Sequence, residues 1–133
     1  MPPIHNAIFA RADAHAGLEA LIGSPPRLFP VEAPQNVAVP YVTYSVVSAP
    51  RVHVMSADKD AQPRVQFDSW GATRTQALQV NAQVVACYDR WSGSFGGLMV
   101  LASVCENEGM DVERDEATLI PRVTSEFTVT YLL

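Results

Sequence analysis

Charge is scarce in this chain of 133 residues. Only 17% of them are Asp, Glu, Lys or Arg, against about a quarter in a typical soluble domain. What charge there is leans acidic: nine basic residues against fourteen acidic ones give a net charge of −5 and a pI near 5.0. That balance argues against groove-reading of DNA or RNA, which needs a basic footprint. Cysteine is almost missing. Cys87 and Cys105 are far apart and not in a C-x-x-C arrangement, so no disulfide framework exists, and both read as buried, reduced thiols in a protein folded in a reducing cytosol. No apolar run approaches the ~20 residues of a membrane span. Met1-Pro2-Pro3-Ile4-His5 has neither the basic start nor the apolar core of a signal peptide. Internal repeats and low-complexity stretches are absent as well.

Catalytic and metal-binding patterns are equally thin. His5 and His15 fall ten residues apart on a predicted helix, on different faces, and His53 lies elsewhere, so no local metal spacing is written. Cys87 falls on an apolar helical stripe, where burial raises a thiol pKa and makes it inert. No G-x-S-x-G elbow occurs. Gly71 stands alone at a strand–helix junction, without the glycine-rich pattern of a phosphate loop. Asp111, Glu113, Asp115 and Glu116, with Arg114 among them, read as a solvated acidic run, and so does Asp58-Lys59-Asp60. Asp68 is a charge inside a strand, facing either solvent or a partner chain. The residues predict no enzyme, no cofactor and no metal.

What the sequence does contain is a core. The apolar fraction is 48% and the mean hydropathy +0.07, and the length suits one domain. Ile4, Ile8, Ala12 and the residues around them recur at helical spacing, predicting a helix from Ile4 to Ile22, ended by Gly23-Ser24-Pro25-Pro26. Leu28-Phe29-Pro30-Val31 fits a short edge strand. Tyr41 to Val47 is β-branched and aromatic, and Arg64 to Trp70 alternates, with Val65, Phe67 and Ser69 on one face and Gln66, Asp68 and Trp70 on the other. Thr73-Arg74-Thr75-Gln76 matches a capping box and opens a second helix to about Trp91. Gly93 to Gly97 is a flexible turn, Leu98 to Val104 a strand, and 106–116 a loop or twisted strand end. Ser125 to Tyr131 is a half-buried strand led in by Leu119 to Val123. The fold class is therefore α+β: a mostly antiparallel sheet of four to five strands with two helices packed on one face.

The order of four segments resembles the phage tail-completion family, the gp17-like or tail-terminator proteins, including prophage and gene-transfer-agent versions. They are the helix ending Leu21-Ile22-Gly23 with Arg27-Leu28-Phe29-Pro30 after it; Pro40-Tyr41-Val42-Thr43-Tyr44-Ser45-Val46-Val47-Ser48; Arg64-Val65-Gln66-Phe67-Asp68-Ser69-Trp70-Gly71-Ala72-Thr73 running into an Ala-rich helix; and a closing strand with Tyr131 near its end, preceded by an acidic segment and Arg122. Ser69-Trp70 departs from the bulkier or Cys-containing pair common in the family.

The resemblance implies a structural virion protein: one domain, residues 1–133, that assembles into a homo-oligomeric ring, a hexamer. The ring caps the tail tube, stops its polymerisation and joins the tail to the head-side connector or stopper. Its partners are the major tail tube protein and that connector. DNA passes through the lumen only as cargo, and no membrane is involved. The protein resides in the virion tail or neck, and in the host bacterial cytoplasm during assembly. Candidate assembly contacts are Arg51, His53, Asp58 and Lys59 in the polar stretch from Arg51 to Gln62, Trp70, Phe95 in the Gly93–Gly97 turn, and Asp111 and Glu113 in the acidic segment. Trp70 reads either as an exposed interface anchor or as a residue under the helices. The alternative functional class is a small oligomeric α+β ligand-binding or regulatory module, which would show a concave pocket with convergent polar groups.

Overall fold

The computed structural model describes residues 3–23, 25–48, 60–61, 63–112 and 121–132. Three helices, α1 (Pro3–Asp13), α2 (Ala16–Ile22) and α3 (Arg74–Tyr88), accompany seven strands: β1 (Leu28–Pro30), β2 (Tyr41–Ser48), β3 (Asp60–Ala61), β4 (Arg64–Trp70), β5 (Gly93–Phe95), β6 (Leu98–Val112) and β7 (Arg122–Leu132). The strands form one sheet in the order β1-β2-β4-β7-β6-β5, with β3 pairing onto β7. Among the described residues only β1–β2 is parallel; the other pairs are antiparallel. The expected α+β class and mostly antiparallel sheet are present. The expected four to five strands and two helices are corrected to seven and three among the described residues.

Each difference has a physical cause. The helix expected from Ile4 to Ile22 breaks at His15, whose backbone is extended and whose side chain accepts the Leu18 N–H as the N-cap of α2. The apolar spacing runs on across the break, so periodicity alone misses it. The Gly93–Gly97 turn is the end of a hairpin: Phe95 pairs with Leu98, and Gly96 and Gly97 take φ of 55° and 81°, the two positive φ values of a tight hairpin turn. A side chain on Gly96 would also lie 2.8 Å from the Asn6 backbone. The acidic stretch from Glu106 continues β6 to Val112, which pairs with Arg122, and three register shifts along β6 accommodate it. Backbone pairing to β7 decides here, and polar composition does not. Cys87 is buried as expected, but Cys105 is only half-buried.

Val65 and Phe67 on β4 and Val123, Phe127 and Val129 on β7 turn to the helices and are buried, as are Val80, Val84 and Cys87 of α3. Aromatic rings fill the middle. Phe67 stacks on Tyr88 at 4.5 Å and meets Phe127 edge-on at 5.5 Å, while Tyr88 meets Trp91 edge-on. The buried Tyr88 hydroxyl donates to the Ile8 carbonyl at 2.7 Å, tying α3 to α1. Arg11 of α1 donates to the Cys87 carbonyl at 2.9 Å, supplying a cation at the end of α3, whose own last turn has none. Gly71 is needed where β4 turns into α3, because a Cβ there would lie 2.6 Å from the Ala77 nitrogen. The predicted cap is formed with its return bond one residue early: Thr73 accepts the Gln76 N–H at 3.1 Å, and Gln76 accepts the N–H of Ala72, the residue before the cap, at 2.7 Å.

Candidate interaction surface

The helices cover one face of the sheet, and the alternation of β2, β4 and β7 sends a second set of side chains to the opposite face. Register places Tyr41 beside Trp70 and Trp70 beside Arg122; the next row is Thr43, Asp68 and Thr124, and the next Ser45, Gln66 and Glu126. In the first row the rings form a ladder. Phe29 meets Tyr41 edge-on at 6.4 Å, Tyr41 stacks on Trp70 at 5.9 Å, and the Arg122 guanidinium lies over the Trp70 ring at 5.3 Å. The Trp70 indole N–H donates to the Thr43 hydroxyl at 3.0 Å. Trp70 therefore lies on the helix-free face, half-buried, with its polar atom engaged and its ring held by neighbours on both adjoining strands.

Asp68 occupies the second row and is only 9% exposed. Its Oδ1 accepts from the Thr124 hydroxyl at 2.7 Å and from the Gln66 amide at 3.4 Å. Within the chain, a threonine of β7 holds Asp68 in place. The segment 31–39 arches over this part of the face and, with Tyr41, Thr43, Asp68, Trp70 and Arg122, encloses a cleft of about 470 Å³. The arch is anchored at its start by Val31, whose N–H donates to the Tyr44 carbonyl at 2.7 Å. Val31 takes a φ of 65° and remains 76% exposed, a backbone conformation that costs a β-branched residue energy. Arg27 ties the far end down, donating to the Pro40 carbonyl at 3.0 Å and the Leu21 carbonyl at 3.2 Å.

Further along the sheet, Met99, Leu101 and Val104 of β6 are 45%, 44% and 51% exposed, alternating with the buried Leu98, Val100 and Ser103. Apolar side chains half in water on a sheet face suit packing against another protein surface better than they suit catalysis. Among the described residues no group of three or more His, Cys, Asp or Glu side chains could hold a metal, and no helix is long and apolar enough to cross a membrane.

The other candidate contacts distribute as follows. Phe95 is half-buried, edge-on to Trp91 at 5.5 Å with the Arg11 guanidinium 5.7 Å from its ring, so its ring is engaged within the chain. Asp111 lies on β6 opposite Val123. Arg51, His53, Asp58, Lys59 and Glu113 lie outside the described residues. Sequence reasoning missed the 31–39 arch and the pairing of Arg122 with Trp70. The strand alternation carried a signal for the second, since Arg122 and Trp70 end adjacent strands.

The helix-backed sheet thus presents a layered polar and aromatic outer face and exposed apolar side chains, a surface suited to packing against another protein. The particular relationship is given by sequence: the family described as tail completion protein gp17 matches residues 6–131, and the chain belongs to it. That family consists of structural proteins of the phage tail. A chain from the virion of a native gene transfer agent particle superposes with a TM-score of 0.77 at 15% identity, over 96% of this chain and 92% of its own. A second solved chain, also 15% identical, superposes at 0.60 over 98% of this chain and 94% of its own. At that identity the likenesses show the fold. No curated protein matches.

Proposed function

We propose that the protein is a tail terminator, which forms a homo-oligomeric ring, a hexamer, at the end of the tail tube. The ring stops tube polymerisation and joins the tail to the head-side connector, with DNA passing through the lumen. Membership of the tail-completion family over residues 6–131 carries this reading. The shared fold with a chain of a gene transfer agent virion supports it and suggests the same particle-bound location, reached after synthesis in the host cytoplasm. Physical chemistry is compatible. A closed ring needs two different complementary surfaces on each subunit, and this chain offers exposed apolar side chains on β6 and, separately, the arched cleft. A net charge of −5 suits a passage that phosphates traverse without being held. No step of bond chemistry is assigned to it.

The experiment is light scattering and negative-stain imaging of the purified protein with and without assembled tail tubes. The expected result is a six-fold ring, alone or at one end of the tube, and tubes of limited length when the protein is added during polymerisation. A monomer or dimer that leaves tubes unaffected would overturn the reading and make the cleft's ligand the main question. A lumen lined by Lys and Arg would overturn the charge argument alone.

A further inference from the structure

Strand β1 stops at Pro30, while its neighbour β2 runs on to Ser48. Register places Phe29 beside Thr43 and Pro30 beside Tyr44. Along this side of β2, the Val42 N–H donates to the Arg27 carbonyl at 2.9 Å, and the Tyr44 carbonyl accepts the Val31 N–H at 2.7 Å. The odd-numbered residues of β1 therefore turn their backbone groups to β2, and the even-numbered ones turn theirs away. Pro30 and Pro34 both fall on even positions, where the missing N–H costs no ladder bond. The sequence is thus fit to continue β1 beyond Pro30. Val31 would offer its carbonyl to the Val46 N–H, and Ala33 its N–H to the Val46 carbonyl.

One residue turns the chain aside. Val31 takes a φ of 65°, and the Glu32 N–H donates back to the Pro30 carbonyl at 2.7 Å, closing a three-residue turn. A positive φ at the centre of such a turn is strained, more so at a β-branched residue. Burial does little to offset the strain, since Val31 is 76% exposed and no residue from 31 to 39 is buried. A strained turn under an exposed segment opens at low cost. Chain length permits the alternative. Ala33 continued in register would lie opposite Val47, about 20 Å along β2 from Tyr41. The eight residue steps from Ala33 to Tyr41 reach about 26 Å.

We propose that the 31–39 arch is a strap with two positions. In one it roofs Tyr41, Trp70 and Arg122, as the cleft shows. In the other, Val31 relaxes to extended backbone, β1 lengthens to Ala33 along β2, and the aromatic row is uncovered. The device belongs to the single chain and does not depend on the ring reading.

Substitutions at two neighbouring positions push the strap in opposite directions. Val31→Gly and Val31→Asn both tolerate a positive φ and relieve the arched position. Glu32→Pro removes the N–H that closes the turn and drives Val31, as the residue before a proline, to extended backbone. It places a proline at another even position, where the lengthened strand needs no N–H. The readout is hydrogen exchange by NMR. The Glu32 amide is bonded only in the arched position, so its exchange, corrected for the neighbouring side chain, should slow about tenfold in both Val31 variants, the relief of one strained residue. The Val46 amide meets the Val31 carbonyl only in the lengthened strand, so its exchange should slow at least tenfold in Glu32→Pro. The Trp70 indole N–H should exchange faster in Glu32→Pro and slower in the Val31 variants, while amides along β4 and β7 keep the parental rates. Parental Glu32 exchange in both Val31 variants, or an unprotected Val46 amide in folded Glu32→Pro protein, would overturn the strap. Should Glu32→Pro not fold, the Val31 pair decides alone.

Discussion

Alkali should unfold this protein cooperatively, and the structure sets the size of the effect. Cys87, Tyr44 and Tyr88 are 0%, 3% and 1% exposed in the layer between the helices and the sheet. Burial pushes the Cys87 thiol from 9.0 up to about 12, partly offset by the neighbouring Arg11 charge. Burial likewise pushes the Tyr44 phenol from 10.0 up to about 12, and Tyr88 well above 10.0. The folded chain thus keeps protons that the unfolded chain releases. Stability is intact below about pH 9 and falls as pH rises, because the unfolded state then binds fewer protons. Each group contributes about 1.4 kcal/mol per pH unit within its window. Cys87 acts alone for the first unit; then all three act together, at about 4 kcal/mol per unit. By about pH 11 the accumulated loss is roughly 5 kcal/mol, the same size as the whole stability of a small domain, about 5–15 kcal/mol.

The assay is the urea midpoint followed by tryptophan fluorescence across this range, with tyrosinate absorbance recorded alongside. Tyrosinate from Tyr44 and Tyr88 should appear only together with unfolding. Tyr88→Phe should remove about a third of the slope in the steep region, and at neutral pH it should cost about 1 kcal/mol for the lost bond to Ile8. Gradual ionisation of all four tyrosines near their ordinary value, with helix and sheet signals retained, would refute the claim that packing holds these protons.

Acid should also destabilise, more gently. Burial, with the N-terminal charge for His5 and Arg11 for His15, lowers both imidazole pKa values from 6.5, so stability is full above that value and falls as pH drops and the unfolded chain takes up protons first. His15→Asn keeps an N-cap acceptor, so its melting temperature should fall less than the parent's between neutral and mildly acidic pH. Thr73→Ala should cost about 1 kcal/mol, read as a drop of roughly 3–5 °C in calorimetry, because it removes the cap of α3. Gly96→Ala should cost about 1–3 kcal/mol in urea titration, because its φ of 55° and the 2.8 Å approach to Asn6 both exclude a side chain.

Strand alternation and capping chemistry made much of the fold legible. Arg64 to Trp70 alternates inward and outward as written, and Thr73 with Gln76 marks the start of α3 to the residue. Both signals are local, so neighbouring chain does not alter them. Where the outcome depends on a distant partner, reading failed. Gly93-Ser94-Phe95, expected as a turn, becomes a strand only because Leu98 to Val100 lies beside it, and of the two readings left open for 106–116, loop or twisted strand end, pairing with β7 decides for strand as far as Val112. His15 is a cap because its ring accepts a local N–H while the apolar stripe continues past it. Of the candidate site, the alternation of β4 made the face of Asp68 and Trp70, opposite Val65 and Phe67, legible, while it left open whether Trp70 anchors an interface or lies under the helices. Its setting was not, since the arch from Val31 to Val39 carries no periodicity and closes over the sheet through Arg27 and the Tyr44 carbonyl.

The edges and faces of the sheet are treated differently, and the difference bears on the proposed assembly. An open strand edge invites uncontrolled pairing. Here one edge is β1, three residues long and containing Pro30, which has no N–H to offer. At the other, the exit of α3 is stitched onto β6: the Arg90 N–H donates to the Ser103 carbonyl at 2.7 Å, and Asp89 accepts the Cys105 N–H at 3.0 Å. Those contacts occupy backbone groups that a foreign strand would need. The exposed Val31, Met99, Leu101 and Val104 are instead left on side-chain surfaces. Side-chain packing fixes geometry through shape and charge, whereas edge pairing repeats indefinitely along the backbone. A subunit that must form a closed assembly and stop is better served by the first. The low charge of the chain, 17% of its residues, fits the proposed ring, since a face buried on assembly has little use for ions that must shed their water.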